Sequence, residues 1–199
     1  MTPSATSQRN RLVIAAILFL FSGFSALVYQ VIWQRILGIF SGVHIYSVTL
    51  IVTAFMAGLG LGSLLGGWIS DRSSRKTSLA LFALCELGIG LFALASPWVY
   101  YDFAYLQLGF LIHTPAVLPI VHFGLLLIPT LLMGASLPLL SRAIVADVDG
   151  AARTIGILYG LNTFGAALGA ALSSWLFIGL VGFEGTIRIG ALGNLLAAL

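Results

Sequence analysis

The chain has 199 residues, of which 60% are apolar and 8% carry a formal charge, against about 45–50% and about 25% in soluble domains. Nine Lys and Arg with six Asp and Glu cannot solvate a folded surface of this size. That excludes most soluble enzymes, nucleic-acid binders and disordered tails, and predicts an integral membrane protein whose first partner is the lipid bilayer. The single cysteine, Cys85, excludes an internal disulfide and a cysteine-based zinc site, and no metal or cofactor is called for.

A membrane-spanning helix needs about 20 mainly apolar residues. On that rule residues 1–11 form a cytoplasmic tail and 12–199 a six-helix membrane domain, with approximate spans 12–40, 45–69, 77–97, 117–140, 154–181 and 186–199. The first span has a basic flank in Arg9 and Arg11 and small residues at Gly23 and Ser25, as a signal peptide would. Its apolar run continues past that point, too long for an h-region of about 7–15 residues, so a retained helix is expected. Towards its far end Tyr29, Gln30, Trp33, Gln34 and Arg35 form a polar-aromatic cluster. It suits recognition of an anionic or amine solute, or, more simply, anchoring of Trp33 and Arg35 at the interface.

The second span carries Gly58, Gly60, Gly62, Gly66 and Gly67. A dinucleotide loop would need a strand before it and a new helix after it, and neither fits inside an apolar run. Spacing by four is the better account. Ala54, Gly58, Gly62, Gly66 and Ser70 make a ridge of small residues along which a second helix can pack closely. Gly67, Asp71, Arg72, Arg75 and Lys76 follow at the next loop. Its cations can bind lipid phosphates or pair with acids such as Asp147, and Asp71 can accept hydrogen bonds from nearby donors.

In the third span Glu86 lies nine residues past Thr77, about 14 Å into the helix. An acid at that depth is a functional candidate by default. A cation or proton site and a hydrogen-bonded tie between helices are both open. Residues 98–116 are expected to form the longest outer loop, with Trp98, Tyr100, Tyr101 and Tyr105 as an interfacial belt and Asp102 and His113 solvated. Ser22 and Ser25 in the first span, Pro129 and Thr130 in the fourth and Asn162 in the fifth reach depths similar to that of Glu86, with Tyr159 one turn nearer the cytoplasm. Glu86, Asn162 and Tyr159 are therefore expected to share a polar interior. The fifth span repeats the small-residue device with Gly156 and Gly160, then Gly165, Gly169 and Ser173. Residues 186–199 make only about 21 Å of helix, short of a hydrocarbon core of about 30 Å, so this span is expected to be truncated. His44 and His122 show no ligand spacing and are expected to be loop or packed residues.

Seven loop cations (Arg9, Arg11, Arg72, Arg75, Lys76, Arg142 and Arg153) fall on one side and two (Arg35 and Arg188) on the other. That bias places the N-terminus in the cytoplasm, with the chain in the plasma (inner) membrane.

The run from Gly67 through Asp71 and Arg72 to Arg75 and Lys76 resembles the signature loop of major facilitator transporters, with Ser74 where that family usually has glycine. A closer resemblance joins Gly23-Phe-Ser-Ala-Leu-Val-Tyr-Gln-Val-Ile-Trp-Gln-Arg35, Glu86-Leu-Gly-Ile-Gly90, Pro129-Thr-Leu-Leu-Met-Gly134 and Leu158-Tyr-Gly-Leu-Asn-Thr163. Together these are similar to the membrane region of fused facilitator/spermidine-synthase proteins. The resemblance implies half of a major-facilitator-like bundle, lying ahead of a soluble aminopropyltransferase-like domain that these residues do not include. Three functions are then in view. The chain is a non-catalytic anchor or assembly subunit working with another membrane subunit or a second copy of itself. Alternatively it is a half-transporter for a small cationic solute acting through Glu86, or the membrane region of a larger transferase.

Overall fold

A computed structural model describes residues 5–41, 44–107, 117–145 and 150–199. His113 and Asp147 lie outside them. Among the described residues there are helices and no strands: α1 (Ala5–Ser41), α2 (His44–Arg72), α3 (Arg75–Trp98), α4 (Val117–Ile144), α5 (Ala151–Leu172) and α6 (Ile178–Ala197). Among the described residues five helical runs are long and apolar enough to cross a membrane, the last being continuous over Ala151–Ala197. Burial sorts the side chains as a bilayer would. Leu64, Trp68, Leu84, Ile120 and Leu180 point outward as large exposed apolar groups, whereas serines, an amide and a carboxylic acid lie inside, the reverse of a water-soluble protein.

The last run is not straight. Gly182 has φ 69° and ψ −173°, a conformation open to glycine and strained for other residues. Beyond it the chain turns back. Gly165 and Gly169 of α5 meet Leu20 and Phe24 of α1 in the same direction, while Gly190 and Gly193 of α6 meet Tyr29 and Phe21 in the opposite one. Similar pairings make α2 run with α4, through Gly58 against Thr130 and Gly66 against Ala135, and α1 run with α3, through Phe19 against Phe82 and Trp33 against Ser96. The legs therefore alternate in direction. Arg9, Arg72, Arg75, Lys76, Arg142 and Arg153 gather at one end, the basic end, with Arg35 and Arg188 at the other, the aromatic end.

The ridge of α2 is a packing surface. Ala54, Gly58, Gly62, Gly66 and Ser70 are all buried, and a β-carbon on Gly58, Gly62 or Gly66 would run into Thr130, the Leu131 carbonyl or Ala135 of α4. Gly134 returns the fit, lying against Leu59 of α2. Gly165 and Gly169 do the same against the α1 backbone. Gly156 and Gly160 do not: both are exposed and face open space, which corrects the expectation that this pair repeats the packing device on α5.

At the aromatic end Trp33 is fully buried, not an interface anchor as the sequence suggested. Its ring stacks on Tyr29 at 5.3 Å between centroids and meets Phe92 edge-on at 5.7 Å. Tyr100 is buried with it and stacks on His122. The expected outer loop is also helical at its start. Pro97 removes the backbone donor that would serve the Ala93 carbonyl, and Ser96 Oγ donates to that carbonyl at 2.7 Å while accepting from Trp33 Nε1 at 3.0 Å. The helix is thereby carried past the proline and continues as a wide π-helical turn over Val99–Gln107.

The loop at the basic end is closed by its own side chains. Ser74 caps α3, its Oγ accepting from Thr77 N at 3.1 Å. Arg72 donates to the Trp68 carbonyl at 3.0 Å and lies 4.2 Å over the Trp68 ring, and Arg142 donates to the Ser73 carbonyl. Asp71 is exposed and makes none of these bonds.

Candidate functional site

Glu86 stands eleven residues from Arg75 and twelve from Trp98, about 17 Å from either end of α3. It is fully buried. Oε1 accepts from Ser22 Oγ of α1 at 2.7 Å and from Ser136 Oγ of α4 at 3.0 Å. Oε2 accepts from Asn194 Nδ2 of α6 at 2.7 Å. The other end of that amide, Oδ1, accepts from Tyr29 OH at 2.7 Å. One turn away Ser25 Oγ donates to the Gly190 carbonyl at 2.7 Å. One carboxyl thus joins four helices.

Glycine sets these approaches. A β-carbon on Gly190 would press on the Tyr29 ring, and one on Gly193 on Ser25, so α6 comes close enough to α1 for Asn194 to reach both Tyr29 and Glu86. The partners satisfy the carboxyl in either protonation state. Ser136 lies 3.0 Å from Glu86 and 3.1 Å from the Leu132 carbonyl. Its single proton serves the carboxylate, or serves Leu132 while Ser136 accepts a proton from the acid. All three donors to Glu86 are neutral side chains, so the arrangement holds a hydrogen-bonded acid and not an ion pair.

The other expected members lie elsewhere. Asn162 donates to the Phe19 carbonyl at 3.0 Å, in the notch that Gly23 leaves on α1; it stitches α5 to α1 without joining the Glu86 network. Tyr159 is 61% exposed on the outer face of α5. A polar interior shared by Glu86, Asn162 and Tyr159 is therefore not what the chain builds. Thr130 Oγ1 bonds to the Leu126 carbonyl of its own helix at 2.8 Å and lies 3.4 Å from the Ala54 carbonyl of α2, without joining Glu86. Gln30 is half-buried and Arg35 exposed, and neither approaches Glu86. Asn194 and Ser136 are the members that sequence reasoning missed, and Tyr29, expected in the outer polar-aromatic cluster, joins this network through Asn194. For Asn194 a signal existed, since it is the one polar side chain in residues 189–199 and such a residue in an apolar helix asks for a partner.

Among the described residues no cluster of His, Cys, Asp and Glu is arranged to hold a metal. No protein-family model, curated protein or solved structure matches the chain.

Proposed function

We propose that this chain is a non-catalytic, multi-pass membrane domain of the kind found in fused facilitator/spermidine-synthase proteins, serving as an anchor or assembly subunit with its basic end in the cytoplasm. One observation carries the reading. The carboxyl at the centre of the bundle is bonded to neutral side chains of α1, α4 and α6, with aromatic packing towards one end and Phe19, Phe82, Leu139, Leu140 and Leu158 towards the other. A transporter keeps its site near the midplane, at an interface that opens to water. Here the same depth is bonded shut. The surface for a partner is the outer face of α5 and the turn after it, where Tyr159, Phe164 and Trp175 stand exposed.

A half-transporter working through Glu86 as a dimer is the second reading. It is favoured by the one feature a proton carrier needs, an acid whose partners satisfy it with or without its proton. Reconstitution of the purified full chain in liposomes separates the two. The anchor reading expects no proton or cation flux above that of empty vesicles, and a native extract in which the chain runs in a complex much larger than its own 21.0 kDa. Flux that disappears in Glu86→Gln would establish the transporter instead.

A further inference from the structure

At the aromatic end a cavity of about 400 Å³ opens between α3 with its π-helical continuation and the returning leg of α6. Its volume lies within the range of small-ligand sites. Trp98, Tyr101 and Asp102 line one wall and Glu184, Ile187 and Arg188 the other, with Leu94 and Pro97 at the floor. Residues 94, 98, 101 and 102 share a helix face, and the wide turn after Pro97 carries that face beyond the end of α3. Trp98 is held by stacking on Phe103, with ring centroids 6.1 Å apart. Across the gap Arg188 pairs with Glu184 at 3.4 Å, one turn apart on α6. That pair leaves the half-buried Asp102 carboxylate as the net charge of the cavity, beside two aromatic rings.

A carboxylate beside indole and phenol rings is a site for an organic cation. The rings attract the cation through their negative faces, the carboxylate adds a charged hydrogen-bond acceptor, and the apolar floor accepts the carbon skeleton. Pro97 lies about 30 Å of helix from Thr77, so the cavity opens where a bilayer carries its headgroups. Arg188 at its rim is placed for a phosphate. We propose that this cavity binds an organic ammonium group, with an aminophospholipid headgroup, ammonium to Asp102 and Trp98 and phosphate to Arg188, as its membrane source.

The test uses the purified full chain in a non-ionic detergent, titrated with dioleoylphosphatidylethanolamine, dioleoylphosphatidylglycerol and free ethanolamine, with binding read by native mass spectrometry and thermal shift. The phosphatidylethanolamine should be retained at least about tenfold better than the phosphatidylglycerol, and Asp102→Asn should erase that preference. Arg188→Gln should weaken the lipid but not free ethanolamine, which should bind as well or better because Glu184 is then left unpaired beside Asp102. Preference for free ethanolamine without preference for the lipid keeps the ammonium site and moves its source to solution. Equal retention of both lipids with no response to ethanolamine overturns the proposal, as does a preference that survives both Asp102→Asn and Trp98→Leu. Helicity and elution volume are followed for each variant, and Trp98→Leu stands in if Asp102→Asn fails to fold.

Discussion

The seam between α2 and α4 and the junction of α1, α3, α4 and α6 around Glu86 hold helices together in opposite ways. At the seam side chains are taken away. Gly58, Gly62 and Gly66 bring the backbone of α2 against Thr130, Leu131 and Ala135, and the contact is made chiefly by close van der Waals approach, with one long hydrogen bond from Thr130 Oγ1 to the Ala54 carbonyl at 3.4 Å. At the junction polar side chains are added, and Glu86, Ser22, Asn194 and Tyr29 bond across the gap. Lipid tails are as apolar as leucine, so apolar burial between helices brings little gain, and close packing and hydrogen bonds are what remain. The seam tolerates nothing added, and the junction tolerates nothing removed.

The largest effect should come from adding to the seam. In Gly62→Leu the new β-carbon meets the backbone carbonyl of Leu131, which no rotamer change can move aside. We expect a loss of about 3 kcal/mol, seen as a collapse of the monodisperse elution peak and an early transition in SDS titration. Wild-type unfolding of this variant would mean that α2 and α4 do not meet along the glycines. Removal from the junction should cost somewhat less. Glu86→Leu leaves Ser22 Oγ and Asn194 Nδ2 without their acceptor, at about 2 kcal/mol in the same titration, since interhelical hydrogen bonds in membranes average about 0.6 kcal/mol and stranded polar groups cost more. Glu86→Gln should lose under about 1 kcal/mol, because its carbonyl still accepts from the serines and Asn194 can turn its amide over. If Gln and Leu proved equally damaging, the junction would depend on the charge of Glu86 and not on its hydrogen bonds.

Depth was legible in the sequence and rotation was not. Hydropathy and spacing by four are local, so the helical runs and the α2 ridge could be read directly, as could Glu86, an acid in an apolar run. Its partners required knowing which face each helix turns inward. Depth alone points to Tyr159 and Asn162. On α5 the inward line runs through Leu158, the half-buried Asn162, Gly165 and Gly169 and continues to Ser173 just beyond it, and Tyr159 stands about 100° away from Leu158 on a 3.6-residue helix. The same geometry explains Gly156 and Gly160. The step from Gly160 to Gly165 is five residues, about 140° of rotation, so the two pairs of glycines cannot lie on one face. The far end of α3 is hidden from the sequence for another reason: proline normally ends a helix, and the rescue of the Ala93 carbonyl by Ser96 becomes visible only with Trp33 in place.

The smallest effect falls on those outward glycines, and it sharpens the contrast. Alanine at Gly156 or Gly160 meets nothing within 4 Å and removes the backbone-entropy penalty of glycine, so each should leave the purified chain unchanged or more stable by up to about 1 kcal/mol. Alanine at Gly165 meets the Leu20 carbonyl and should destabilise it. Comparing Gly160→Ala with Gly165→Ala by thermal melting therefore tests the phase of α5 with one methyl group. The same pair bears on assembly. In the isolated chain Gly160→Ala adds a methyl to a face that meets lipid, whereas under a partner helix that methyl would press on a second backbone. Destabilisation of the native complex by Gly160→Ala, with no effect on the isolated chain, would put the partner subunit on this face of α5.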